Sequence, residues 1–401
     1  MMLALVSTPC QGQAWPRFRG PNGAGQSDAA TIPTEWTDAD YNWQVKLEGT
    51  GHSSPVVWGD KIVVTSGDAE SATRYVHCRR TSDGGEVWSQ TFESSPHRLH
   101  QKNSYASSTP ALDGQHVYVT WATPHEYLVL ALDLETGEEV WREDLGGYQS
   151  AHGYGSSPVV YGGNVIVTKD HRGESSLVAL RCTDGEEVWR CPRGPGGKAA
   201  YSVPCVYRSP EGDESLIFHS TDNGISGIDP VTGDVKWSAS DVFVKRCVNS
   251  PVVAAGLVFG TAGQGGNGDA VVAVRPGTPG ADPEVAYEVR KAAPYVVTPV
   301  AYEDMLFVWH DSGIVTCLDA GSGDVYWRER VGGSYSGSPI RVGKHIYCTA
   351  EDGTVMVLDA AKKFRLVAKN ELGERSFATP AVSDGRMYLR SETRLFSLGG
   401  K

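Results

Sequence analysis

The chain lacks several features that would each have pointed to a function class. It has no run of about 20 consecutive apolar residues, the length a membrane-spanning helix needs, so no transmembrane segment is expected. Its eight cysteines, Cys10, Cys78, Cys182, Cys191, Cys205, Cys247, Cys317 and Cys348, include neither a C-x-x-C spacing nor an adjacent pair. That excludes a zinc ribbon, a thioredoxin-like redox motif and a C-x-x-C-H haem attachment. Positive charge is scarce: Lys+Arg 36 against Asp+Glu 48 gives a formal net charge of −12. Such a surface repels phosphate backbones and anionic headgroups, which argues against nucleic acid as a partner. No amphipathic helical period persists anywhere, whereas Gly 47 and Pro 22 point to many turns between short strands. The class implied is all-β.

At the N-terminus Met1 to Val6 form a short apolar run, followed by Ser7, Thr8, Pro9 and Cys10 and then the small residues Gly12 and Ala14 before Trp15. The pattern fits the end of a secretory signal cleaved after Ala14, although a charged leading segment is missing. Residues 1–14 are therefore expected to be a truncated signal segment, and the protein to be exported, periplasmic or associated with the cell envelope. A disordered cytosolic N-terminus is the alternative. Acylation at Cys10 is disfavoured by Pro9, which stands where such signals want a small residue. Without Cys10 seven cysteines remain, at least one of them unpaired. Several, such as Cys317 within Ile314-Val315-Thr316-Cys317-Leu318, sit in strand patterns where a buried thiol acts as a small hydrophobe.

What the chain has in abundance is an internal repeat. A small-x-Pro-apolar motif recurs eight times, with its proline at Pro55, Pro110, Pro158, Pro204, Pro251, Pro299, Pro339 and Pro380. Each proline is followed by a hairpin signal such as Trp58-Gly59-Asp60-Lys61 and an apolar run, then by a third strand such as Leu128 to Asp133. A turn, Glu135-Thr136-Gly137-Glu138, leads to a fourth strand ending in Val140-Trp141. Each unit thus reads as a four-stranded antiparallel meander. Trp88, Trp141, Trp189, Trp237 and Trp327 end the fourth strands, with Tyr287 and Val367 at the equivalent points of two degenerate units. Rings so regularly placed are expected to fill the gaps between neighbouring units.

The two ends complement each other. The eighth unit, Ala378 to Leu398, has three strands, and Asn42 to Leu47 reads as a fourth strand with nothing before it. Joining them closes a ring and removes its exposed edges. The expected fold is an all-β, eight-bladed β-propeller of four-stranded antiparallel blades, closed by the N-terminal strand. Residues 41–401 form the single propeller domain, residues 15–40 an N-terminal extension, and the expected state is a monomer.

The phrase Ala131-Leu132-Asp133-Leu134-Glu135-Thr136-Gly137-Glu138-Glu139-Val140-Trp141 resembles the repeat of the pyrroloquinoline-quinone (PQQ) propeller superfamily, and it recurs around the ring. Trp15 to Gly23 also looks like the segment preceding the first blade of many exported members. The resemblance implies one of two classes. PQQ-dependent alcohol and glucose dehydrogenases carry an adjacent Cys-Cys disulfide by the quinone, a stacking tryptophan, a calcium set of Glu, Asn and Asp, and a catalytic aspartate. The adjacent pair has no counterpart here, and the chain is short for that class. The other class is non-catalytic and similar to the assembly-factor-B lipoprotein of the outer-membrane β-barrel machinery. The expected function is therefore an exported, non-catalytic binding or scaffold protein, with no cofactor and no metal, that presents a propeller surface to a protein, glycan or small ligand of the envelope. A PQQ-dependent dehydrogenase-like quinoprotein is the alternative.

The loops entering each first strand share one mouth of the channel, and residues at equivalent points must converge around its axis. The expected ligand-binding residues are His52, Tyr105, His152, Tyr154, Arg246, Tyr295 and Tyr335, a polar-aromatic composition that suits a binding mouth. The competing reading is that these rings pack on adjacent blades. His97 and His100, Asp170-His171 and His310-Asp311 supply too few convergent ligands for zinc and read as solvated loop histidines. Gly263 to Gly268 lacks the Gly-Lys-Ser/Thr ending of a phosphate loop and reads as a connection between second and third strands.

Overall fold

Eight four-stranded antiparallel sheets follow one another along the chain in a computed structural model, which describes residues 14–278 and 281–400. The signal segment and Cys10 lie outside the described residues, apart from Ala14. Blade 1 runs from Val56–Trp58 to Glu86–Phe92, and each later blade repeats its inner-to-outer order. Among the described residues the helical pieces are three 3-10 turns of three residues each, and no helix is long and apolar enough to cross a membrane.

Blade 8 takes its outer strand from the other end of the chain. Tyr41–Lys46 pairs antiparallel with Arg394–Gly399, Trp43 facing Ser397 and Lys46 facing Arg394. The ring is closed by hydrogen bonds between segments some 350 residues apart in sequence, as the complementary ends implied.

The glycine of each third-to-fourth turn explains how blades dock. Gly137 has φ +76°, and a Cβ there would lie 2.6 Å from the Trp88 ring of the preceding blade. The glycine therefore supplies both a left-handed turn and a bare surface on which the indole rests. The indole N–H also finds a partner, because Trp88 Nε1 donates to Leu134 O at 3.0 Å. The same arrangement joins Trp141 to Gly185 and Cys182 O, and Trp189 to Gly233 and Pro230 O. In blade 7 the register places Ala368, not Val367, opposite the third strand where blade 5 carries Tyr287 and the remaining blades carry tryptophan. The third-to-fourth turn there is one residue longer, Leu358 pairing with Leu366 where Leu318 of blade 6 pairs with Val325, so a count along the sequence falls one residue short.

Of residues 15–40, Trp15 to Ser27 cross the channel, and the rest run outward, where Thr34 O and Trp36 N bond Asn370 on the outer strand of blade 7. Trp15, fully buried, pairs with Val57 of blade 1, and Pro16 O accepts from Leu112 N of blade 2. Arg17 donates to Pro204 O of blade 4, and Arg19, also fully buried, donates to Thr298 O and Pro299 O of blade 6 at 2.9 and 2.7 Å. Gln26–Ser27 then adds a short parallel strand inside blade 7, beside Ile340–Val342. One segment thus ties together the inner strands of five blades.

Candidate functional site

The small-x-Pro motif has a second role at the mouth. In seven of the eight motifs x is Ser or Thr, and its hydroxyl accepts the backbone N–H of the corresponding residue in the preceding blade. Ser54 N donates to Thr109 Oγ1 and Thr109 N to Ser157 Oγ, both at 2.9 Å. Val203 N donates to Ser250 Oγ at 3.2 Å, and Ser250 N to Thr298 Oγ1 at 3.1 Å. The belt continues through Ser338 and Thr379 and returns to Ser54 Oγ, with bonds of 3.1, 2.9 and 3.0 Å. It breaks only between blades 3 and 4, where Val203 offers no hydroxyl. Each such bond contributes about 1 kcal/mol net, so the belt helps to hold the ring closed. It was visible in the sequence as Ser or Thr before proline, but no local pattern says that those hydroxyls meet.

Above this belt opens a cavity of about 690 Å³, with Phe18 of the threading segment among its lining residues. Four of the seven expected residues line it: His52, His152, Arg246 and Tyr295. His52 stacks on Phe377 at 4.3 Å, and burial next to Arg390 and Arg375 pushes its imidazole down to about 3. Arg246 is 8% exposed, donates to Ala199 O at 3.0 Å and to Tyr201 Oη at 2.8 Å, and lies over the Tyr201 ring at 5.0 Å. Asp311 accepts the amides of Tyr295 and Val296 at 2.6 and 2.8 Å, which fixes the loop carrying Tyr295. Desolvation raises its carboxyl above the usual range.

The other three lie elsewhere. Tyr105 borders an adjoining cleft; its hydroxyl donates to His97 O at 2.8 Å and its ring lies 4.9 Å from the Arg74 guanidinium. Tyr154 is buried between blades 2 and 3, bonded to Thr120 Oγ1 at 2.9 Å and Tyr127 Oη at 2.7 Å. Tyr335 is 1% exposed and meets Trp309 edge-on at 5.2 Å. Tyr201, Phe377, Asn249 and the hydroxyl belt are among the cavity residues outside the expected set.

The long connection from Glu93 to Pro110 reaches over part of the mouth. His100 N donates to His152 O of the loop entering blade 3 at 3.3 Å, and Lys102 reaches past blade 8 to Glu351 of blade 7 at 2.7 Å. His97 is half-buried and His100 exposed, but His171 and His310 are not the solvated loop histidines expected. His171 is buried by stacking on Tyr148 at 5.2 Å, with Nε2 3.0 Å from Glu174 O, and His310 is 9% exposed with Nδ1 held by Ser312. The Gly263 to Gly268 segment forms the hairpin between Leu257–Gln264 and Asn267–Arg275.

The calcium set of the quinoprotein dehydrogenases does not fit here. Asp311 is the carboxylate among the described lining residues and both its oxygens already accept backbone amides. No three His, Cys, Asp or Glu side chains among the described residues converge on one point.

His219 illustrates the buried titratable groups beneath the mouth. It is fully buried against Phe243, with Nε2 2.6 Å from Asn249 O, and desolvation pushes its imidazole down to about 4. The unfolded chain takes up that proton from about pH 6.5 downward. The stability linked to this neutral imidazole is thus complete above pH 6.5 and is lost as pH falls towards 4. Thermal unfolding at stepped pH is expected to show wild type losing melting temperature over that window more steeply than His219→Gln. Equal slopes would contradict it.

The sequence profile of the family described as outer membrane protein assembly factor BamB matches residues 72–293 and 282–398. No curated protein matches the chain. Among solved structures, BamB from Moraxella catarrhalis is similar at 15% identity with a TM-score of 0.64, covering 88% of this chain and 95% of that one. A europium-containing methanol dehydrogenase is similar at 12% identity and a TM-score of 0.71, covering 96% and 98%. Quinohemoprotein alcohol dehydrogenase from Comamonas testosteroni is similar at 14% identity and 0.67, covering 97% and 80%. At such identities the structural likeness establishes the fold alone.

Proposed function

We propose, from the premise that the chain belongs to the family described as outer membrane protein assembly factor BamB, that it is a non-catalytic binding or scaffold protein of the cell envelope whose docking face is the mouth. The family match over most of the chain is the observation that carries this reading. The absence of an adjacent cysteine pair from the sequence weighs the same way. Aromatic and arginine side chains anchor interfaces because they join contact area to directed hydrogen bonds, and His152, Tyr295 and Arg246 offer that combination at one rim.

Two measurements test the proposal. Purified protein given PQQ and calcium, then an alcohol and glucose panel, is expected to reduce no dye; reproducible turnover would establish the dehydrogenase alternative. In envelope extract, the wild type is expected to capture a component of the outer-membrane assembly machinery that a His152→Ala, Tyr295→Ala, Lys102→Ala variant loses. If the triple variant keeps that partner while Val235→Asp on the outer edge of blade 4 abolishes it, the mouth is not the docking face.

A further inference from the structure

Cations gather on one side of the mouth without counter-charges. A recess of about 270 Å³ beside the main cavity shares His152, Arg246 and Tyr295 with it and adds Arg172 and Lys198. No carboxylate stands among its described lining residues. Neighbouring cations are paired: Arg193 faces Asp170 at 3.8 Å and Lys245 faces Asp269 at 4.0 Å. Arg172, Lys198 and Arg246 form no ion pair with a described carboxylate. In a chain of net charge −12 such a cluster is conspicuous, because three unpaired cations at one recess repel each other until an anion joins them. The depressed imidazole of His152, lowered to about 4 by burial and then by Arg246, His100, Arg172 and Arg98, reflects the same positive field.

The cavity floor has a complementary shortage of acceptors. Each of the seven belt hydroxyls accepts one backbone amide, and none donates its own proton to a described protein acceptor. A hydroxyl is both donor and acceptor, so the belt presents unspent donors to whatever occupies the cavity. Asn249 adds the converse group. Its amide nitrogen is taken by Thr261 Oγ1 and Tyr295 O, whereas its buried Oδ1 is left without a protein partner at the cavity wall. Tyr201, Tyr295 and Phe377 supply flat apolar faces around these polar groups.

Resting on the reading of the mouth as the binding face, we propose that the cavity binds a small polyol bearing an oxyanion, the chemistry shared by sugar acids and sugar phosphates. Its anionic group lies against Arg246, Arg172 and Lys198, and its hydroxyls lie over the Ser/Thr belt and Asn249. The cavity suits a monosaccharide-sized ligand, since binding sites of about 300–1,000 Å³ enclose ligands of that scale and larger.

Calorimetric titration of the full chain with glucuronate, glucose 6-phosphate, inorganic phosphate and glucose tests this. Glucuronate or glucose 6-phosphate, or both, is expected to bind at least tenfold more tightly than glucose, and the stronger of the two identifies the anion. An Arg172→Gln, Lys198→Gln variant, altered at two exposed side chains, is expected to lose at least tenfold in affinity for that ligand. Thr298→Val is expected to weaken the sugar anion while leaving inorganic phosphate unchanged. If neither sugar anion binds better than glucose, or if the charge variant binds it unchanged, the proposal is overturned. That failure is separable from failure of the mouth as a docking face: the triple mouth variant would still lose its envelope partner in the first case and would keep it in the second.

Discussion

A chain truncated before Glu48 is expected to melt far below the full-length protein and to aggregate, and one truncated before Tyr41 to lie between the two. The shorter deletion removes the N-terminal extension, with buried Trp15 and Trp36 and the Arg19 bonds to blade 6. Each buried tryptophan lost costs on the order of 3–5 kcal/mol. The longer deletion also removes Tyr41–Lys46, which leaves the backbone of Arg394–Gly399 as a bare edge and takes Trp43 Nε1 from Thr81 O. Unpaired edges template association between chains, so insolubility is the larger effect. Differential scanning calorimetry and sedimentation of the two truncations against the full chain measure both steps. A chain lacking Tyr41 to Leu47 that melts with the full-length protein and stays soluble would show that the ring does not depend on this strand.

Trp141→Ala is the second large effect. The ring is 8% exposed, packs on Gly185 of the next blade, and donates to Cys182 O at 2.8 Å. Truncation leaves a cavity between blades 2 and 3 and takes from Cys182 O the shorter of its two hydrogen bonds, leaving it the Tyr118 Oη donor at 3.3 Å, for an expected loss of about 3–5 kcal/mol. That corresponds to a fall in melting temperature of about 4–6 °C for a cooperative unit of this size. Trp141→Phe keeps most of the apolar area and gives up the N–H, so it is expected to cost about 1–2 kcal/mol. Chemical denaturation of the pair separates packing from hydrogen bonding. Equal midpoints for wild type and Trp141→Ala would mean that the ring fills no gap.

The hairpins, the blade count and the closure were legible because each is written locally: Pro110, the Gly137 turn and Trp141 recur at a fixed spacing, and the ends lack complementary strands. Convergence on the mouth was legible in part. His52, His152, Arg246 and Tyr295 share a cavity as equivalent loop positions imply, yet Tyr154 and Tyr335, at equivalent loop positions, turn into the blades. Loop position fixes where a Cα lies but not which way the ring turns, and that choice is made by Tyr127 and Trp309 on neighbouring strands.

By itself, then, the sequence determined the architecture, since a propeller is a sum of local meanders whose apolar faces have nowhere to go but against one another. Only the tertiary structure decided how the channel is used. Trp15 to Ser27 crosses it because Arg17 and Arg19 find free carbonyls at Pro204, Thr298 and Pro299, residues about 190 to 280 positions away. The Ser/Thr belt, the unpaired cluster of Arg172, Lys198 and Arg246, and the buried His171 and His310 are likewise meetings between distant segments. Such groups acquire their charge balance, burial and free lone pairs from neighbours that no window of sequence contains.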